Sequence, residues 1–267
     1  MRIIHVTDEL QPEAGGLVSV PINLAAAQAA LGHEVILIGR TGKQRLLDSG
    51  ETRKIPHFEK VCLLDAKQPG LLAKILPTKT IPLLKKHITP NSIIHLHGVW
   101  DPILLLSSRI ARTVGAPYII TPHSMLHPWQ MTRFTWQKKI VFAMGWRGMF
   151  NNAAFIHTLN TAETEYVTKF GFNAPLEIIP NGIYPETFVP VEPNPFLAEH
   201  SELKNIPYIL FLSRLHEQKG IIHLLDGFER FADANENVRL VLAGPDYGAK
   251  QVVEKKLTRM RHADRVL

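Results

Sequence analysis

Short apolar runs alternate with segments of helical periodicity along almost the whole chain, and this alternation restricts the fold more than any other feature. The runs lie at Met1 to Thr7, Glu34 to Ile38, Val61 to Leu64, Ser92 to His97, Tyr118 to Thr121, Phe155 to Thr158, Leu176 to Ile179, Tyr208 to Ser213 and Arg239 to Ala243. Between them the spacing predicts helices over Leu17 to Leu31, Leu71 to Ile75, Ile81 to His87, Pro102 to Val114, Met131 to Phe150, Ala162 to Phe170, from Gly220 onward, and from about Lys250 to His262. Strands separated by helices are joined by crossovers, so the expected class is α/β with a parallel, doubly wound sheet. Gly39 to Lys60 is polar and reads as a loop, and Glu192 to Pro207, with Pro193, Pro195 and Pro207, reads as a linker. The expected domains are residues 1–180 and 181–267, the second holding only two strands and therefore an open sheet edge with little core.

With 267 residues and 45% hydrophobic content, the chain can build two cores of modest size. The single cysteine, Cys62, excludes an internal disulfide and fits a reducing compartment. No segment reads as a cleaved signal or a bilayer-spanning helix, and the expected location is the cytoplasm. A net charge of +6 points to anionic partners such as phosphates, lipid head groups or nucleic acid. Lys and Arg are spread along the chain and no helix-turn-helix, zinc-finger or RNP pattern occurs, which argues against nucleic acid.

Tyr208 to Ala234 carries the clearest chemistry. Its apolar run reads as a strand buried on both faces, followed by a loop and a helix that opens at Gly220. Arg214 and Lys219 lie just beyond the carboxyl end of the strand, where a guanidinium, an ammonium and free helix N–H groups favour an anion, most economically a diphosphate. Solvated loop cations are the competing reading. After the first strand the dinucleotide pattern G-x-G-x-x-G is absent: Gly15-Gly16 is followed by Leu17 and Val18, which argues against a nicotinamide or flavin enzyme. A Gly-Gly pair that opens a helix still offers backbone N–H groups, although a simple turn explains it equally well.

His95, His97, His123 and His127 invite a metal reading, but strands separate the pairs and no H-E-x-x-H helix or carboxylate stands at ligand spacing, so no metal is expected. His123 follows the end of a parallel strand, where open α/β sheets bind ligands. Met131 to Phe150 is basic and aromatic, with Trp129, Trp136 and Trp146 in or beside it and Lys138, Lys139 and Arg147 between. It reads as a core helix with a charged outer face, and secondarily as a surface for an anionic membrane.

Three stretches together resemble glycosyltransferase family 4, the retaining enzymes of the GT-B fold. S-R-L-H-E-Q-K-G-I-I-H-L-L-D-G-F resembles the family's R-L-x-x-x-K-G-x-x-x-L-L-x-A-F segment. T-P-H-S-M-L-H-P-W is similar to T-P-H-G-M-L-x-P-W of a subgroup that builds bacterial surface polysaccharides, with Ser124 where glycine is usual. I-I-P-N-G-I resembles the I-P-N-G-I/V-D element that marks the crossing between two Rossmann-like domains. The resemblance implies that Arg214, Lys219 and Gly220 bind the diphosphate of a nucleotide sugar, that His123 faces the donor sugar, and that Gly15 and Gly16 form the glycine-rich loop near the donor phosphates and the acceptor. It also implies a saccharide or lipid-linked acceptor, no cofactor beyond the nucleotide-sugar co-substrate, and attachment at most to the inner face of the plasma membrane. The family's E-x7-E element is missing here, so the second domain is expected to be incomplete and the 267 residues to represent about two thirds of a typical member. An inactive remnant that acts only as a binding module is the alternative.

Overall fold

The computed structural model describes residues 1–11, 16–66, 80–132, 135–185 and 195–267. Gly15, the helix expected over Leu71 to Ile75, and Pro193 lie outside them. The chain divides into two compact units, Met1–Tyr184 and Pro185–Leu267.

In the first unit, β1 (Arg2–Glu9), α1 (Gly16–Ala30), β2 (Glu34–Thr41), α2 (Lys43–Asp48), β3 (Cys62–Asp65), α3 (Thr80–His87), β4 (Ser92–His97), α4 (Pro102–Val114) and β5 (Tyr118–Thr121) come first. They are followed by α5 (Pro128–Thr132), α6 (Thr135–Val141), α7 (Arg147–Asn151), β6 (Phe155–Thr158), α8 (Thr161–Thr168) and β7 (Leu176–Ile178). The seven strands form one sheet in the order β3-β2-β1-β4-β5-β6-β7, all neighbours parallel. The chain winds outward from β1 to β3 and then returns to place β4 on the other side of β1. The direction of winding therefore reverses between β1 and β4, and this is the topological switch point where such sheets open a crevice at their carboxyl ends.

Both sheet faces are covered. Ile4, Val6, Ile36, Ile38, Ile94 and Leu96 pack on one side with Ile103, Leu104, Ile110 and Ala111 of α4. Ile3, Val35 and Leu37 pack on the other with Val18, Ile22, Ala25, Ala26 and Ala29 of α1. Strand side chains alternate between faces, so the odd-numbered residues of β1 and β4 lie on the α1 side. Gly39 to Lys60 is more ordered than its polarity suggests. It contains α2 and two 3₁₀ turns, Glu51–Lys54 and Phe58–Lys60, because Leu46 and Phe58 are buried against the α1 side of the sheet.

The helix expected over Met131 to Phe150 is broken instead into α5, α6, a π-helical turn at Phe142–Trp146, and α7, with Gly145 at φ 123° marking the kink. Trp146 is buried and donates its indole N–H to Val99 O at 2.6 Å, while Met149 and Phe150 join the core. Trp136, Ile140 and Met144 are exposed. The expected core role thus holds for Met131, Val141, Phe142, Trp146, Met149 and Phe150.

In the second unit, α9 (Pro195–Glu199) occupies part of the expected linker and precedes β8 (Tyr208–Leu212), α10 (Ile221–Ala232), β9 (Arg239–Ala243) and α11 (Lys250–Leu257). β8 and β9 pair in parallel as a two-stranded sheet. Leu225, Phe228, Leu240 and Val253 form its core. The expectation that β8 is buried on both faces is not met: Leu210 is 50% exposed and Leu212 75%. A run this apolar is suited to a covered sheet face, and among the described residues part of that face has no cover.

Candidate active site

Identical triplets sit side by side across the switch point. Ile3-Ile4-His5 of β1 pairs in register with Ile93-Ile94-His95 of β4, and Thr7 pairs with His97. His5, His95 and His97 consequently share the α1 face and are all buried. The next strands extend this polar stripe with Thr121 and His157, also buried.

The stripe is bonded end to end. His5 Nε2 lies 2.7 Å from Gln28 Oε1 of α1, and His5 Nδ1 lies 2.9 Å from His97 Nε2. His97 Nδ1 lies 3.0 Å from His123 Nε2. A second branch runs from His95 Nε2 to Thr121 Oγ1 at 2.7 Å, from there to His157 Nδ1 at 2.9 Å, and from His157 Nε2 to Ile179 O at 2.6 Å. Burial pushes His5 and His123 down to about 4 and His95 and His97 well below the ordinary histidine range, because a charged imidazole loses its hydration here.

The cluster was only half visible in the sequence. His95, His97 and His123 do converge, although strands separate them along the chain. His127 stands apart, its Nδ1 accepting the Trp129 N–H and its ring edge-on to Tyr166. His5 was overlooked; the repeated I-I-H triplet was its signal. Each of His5, His95 and His97 offers one ring nitrogen within 4.8 Å of the others, a spacing that a metal ion could use. Their remaining contacts are with Gln28, Thr121 and His123.

His123 sits just past β5, at the carboxyl edge of the sheet. Both His123 (φ 50°) and Ser124 (φ 60°) adopt left-handed backbone, a conformation costly for residues with a β-carbon. It accounts for glycine being the natural occupant beside the histidine. The turn is clamped by Glu163, which sequence reading missed. Its Oε1 accepts the Ser124 N–H at 2.7 Å and its Oε2 the Leu159 N–H at 2.8 Å, while Asn160 Oδ1 caps α8 by accepting the Glu163 N–H. The carboxylate is 1% exposed. Gly16 opens α1 and is exposed, and a β-carbon placed there meets nothing within 4 Å. Among the described residues, nothing crowds the position of Gly16 itself.

In the second unit, Arg214 and Lys219 occupy the loop between β8 and α10, both exposed. The Arg214 guanidinium lies 4.8 Å from the Tyr247 ring centroid, a cation–π contact that restrains it. Lys219 ends a 3₁₀ turn capped by His216 and Gly220, and Gly220 at φ 67° turns the chain into α10. Among the described residues neither cation forms an ion pair.

A parallel Rossmann-like sheet with a buried histidine stripe at its switch point, followed by a second β-α-β unit with cations at its strand end, is an α/β architecture whose structural neighbours are GT-B glycosyltransferases. The chain belongs to glycosyltransferase family 4, whose model matches residues 14–187. It is 23% identical over 249 residues to the phosphatidylinositol N-acetylglucosaminyltransferase GPI3 subunit of Saccharomyces cerevisiae, covering 91% of this chain and 52% of that protein. It is 26% identical over 253 residues to a GDP-mannose-dependent alpha-(1-6)-phosphatidylinositol dimannoside mannosyltransferase of Mycobacterium tuberculosis, covering 91% and 62%. Among solved structures it is similar to Anabaena Alr3699/HepE in complex with UDP and glucose, with TM-score 0.71, 17% identity, and coverage of 100% and 68%. Sucrose-phosphate synthase from Thermosynechococcus elongatus gives TM-score 0.70 at 18% identity, with coverage of 100% and 69%. The chain thus spans between half and two thirds of the length of these curated relatives.

Proposed function

We propose that the protein takes part in transfer of a sugar from a nucleotide-sugar donor to a saccharide or lipid-linked acceptor, with retention, in polysaccharide or glycolipid assembly. The observation that carries this reading is the pairing of the family with a neutral, clamped histidine at the switch point. In this reading Arg214, Lys219 and the turn at Gly220 hold the donor diphosphate and stabilise the negative charge it gains as the glycosidic bond breaks. His123 faces the sugar, and Gly15 and Gly16, where α1 begins, lie near phosphate or acceptor. Relatives described as using GDP-mannose, and a structural neighbour bound to UDP and glucose, support a nucleotide-sugar donor. The reading requires no metal, because fixed cations supply the charge. It is tested by mass spectrometry of products from a panel of nucleotide sugars and acceptors, with the anomeric configuration read by NMR. An inverted product would remove retention, and binding without any product would favour the binding-module alternative.

Contact with an anionic membrane, at the inner face of the plasma membrane, is a second element of the proposal. Trp136, Ile140 and Met144, spaced four residues apart, are 66%, 50% and 63% exposed, and the exposed Lys139 lies among them. Apolar side chains beside a lysine match the boundary between head groups and acyl chains. Among the described residues no helix is long and apolar enough to cross a membrane.

A further inference from the structure

Gln28, on α1, is joined to His123 through two buried imidazoles, and the chemistry of the terminal groups fixes which way each bond in that line points. The amide oxygen of Gln28 can only accept, so the 2.7 Å contact places a proton on His5 Nε2. A neutral His5 then has a bare Nδ1, which accepts from His97 Nε2–H at 2.9 Å. A neutral His97 in turn has a bare Nδ1, which accepts from His123 Nε2–H at 3.0 Å. We propose that Gln28, His5 and His97 are positioning residues that lock His123 in a single neutral tautomer, with its proton on Nε2 and its Nδ1 lone pair presented to a hydroxyl group of the donor sugar. Among the described residues Nδ1 of His123 has no protein partner.

A second branch runs beside it: the Ile179 carbonyl accepts from His157 Nε2–H, and Thr121 Oγ1 bridges His157 Nδ1 and His95 Nε2. His95 lies with its ring centroid 4.0 Å from that of His97, so the two branches brace each other. Burial holds His5, His97 and His123 neutral, as the chain of single donors requires. A consequence is that His123 offers an acceptor and not a proton: its role is to orient and recognise the sugar.

The inference rests on the proposed placement of His123 beside the sugar, but its main test does not depend on transfer activity. Long-range proton–nitrogen correlation spectra of the 267-residue protein labelled with ¹⁵N-histidine report the tautomer of each ring at neutral pH. The wild type is expected to show His5, His97 and His123 as Nε2–H tautomers. In Gln28→Lys a donor replaces the acceptor, so every bond in the line should reverse and the His123 proton should move to Nδ1. His97→Phe cuts the line and should leave His123 as a mixture. An Nδ1–H or mixed His123 in the wild type overturns the proposal even where a variant fails to fold. So does an unchanged His123 in a folded Gln28→Lys, or a stoichiometric metal ion on His5, His95 and His97, since ligation would take the His97 Nε2 lone pair. If the tautomers behave as expected, Gln28→Lys should also bind nucleotide sugar about tenfold more weakly, the effect of one lost hydrogen bond, with nucleoside diphosphate affinity unchanged. Correct tautomers with no such selective loss would overturn the placement of His123 beside the sugar and leave the relay itself established.

Discussion

Glu163, one turn into α8, reaches across to the backbone of Ser124 and holds it at 2.7 Å. The same carboxylate holds the Leu159 N–H at 2.8 Å, so a single buried side chain ties the end of β6 to the turn that presents His123. Glu163→Ala leaves both donors unpaired and should cost about 2–4 kcal/mol, and Glu163→Gln, which keeps one acceptor oxygen, should cost about half as much. Urea denaturation of the three proteins measures this. Equal stability of wild type and Glu163→Ala would show that the clamp contributes nothing.

Ser124 provides a second stability test. At φ 60° a β-branched side chain is poorly accommodated, whereas glycine adopts this conformation without steric cost. Ser124→Val should cost about 2 kcal/mol, and Ser124→Gly should be neutral or up to about 1 kcal/mol stabilising. The reverse order would mean that the turn is not left-handed in solution.

Acid should act on the first unit before the second. His5 and His123 titrate at about 4 in the folded chain, against 6.5 for an ordinary histidine, with burial the main cause. The unfolded chain therefore takes up protons first, and stability present above pH 6.5 is lost as pH falls toward 4. One histidine with this shift accounts for about 3 kcal/mol across the window. The second unit's shifted groups are carboxylates lowered below their ordinary values: Glu202 by a backbone N–H and His200, Asp226 by Lys256, Asp233 by His262 and Arg261, and Asp246 mainly by the Lys250 N–H. Their contribution persists until the pH falls below about 4. Hydrogen exchange at pH 7 and pH 5 should show α1 and β4 losing protection while α10 keeps it. Uniform loss, or none, would contradict the buried neutral cluster.

Much of the fold was legible in the sequence because its signals are local. The bounds of α4, β5, β6 and β9 coincide with the apolar runs and periodicity that predict them, and Asn160 caps α8 as its residue type suggests. What escaped is set by contacts distant in sequence. Leu46 and Phe58 order a polar stretch only because the α1 side of the sheet offers them a core. His5 reaches His97 through strand register, across 92 positions, and Glu163 reaches Ser124 across 39. Motifs marked His123, Arg214, Lys219, Gly220 and Gly16 as expected site residues, and none marked His5, Gln28 or Glu163, which stand behind His97 and His123. Polar residues that support a site carry no motif of their own.

Membrane contact is checked with vesicles of phosphatidylcholine, with and without phosphatidylglycerol. Binding is expected only with the anionic lipid, with a blue shift of tryptophan emission, and Trp136→Glu or Ile140→Glu should reduce it at least about tenfold, since each removes an exposed apolar side chain that the membrane would bury and adds repulsion. Equal binding by wild type and both variants would remove this face from consideration.

Nucleotide and nucleotide-sugar affinities should separate among variants of the cations and of His123. Calorimetric titration of the protein with UDP, GDP and ADP, and then with sugar conjugates of whichever nucleotide binds, gives both values. Arg214→Ala and Lys219→Ala should each weaken nucleoside diphosphate binding by about 1.5–3 kcal/mol, the range for charge-assisted hydrogen bonds. His123→Ala should leave that affinity in place and abolish the additional affinity contributed by the sugar. Undiminished nucleotide binding in both cation variants, or its collapse in His123→Ala, would contradict the assignment.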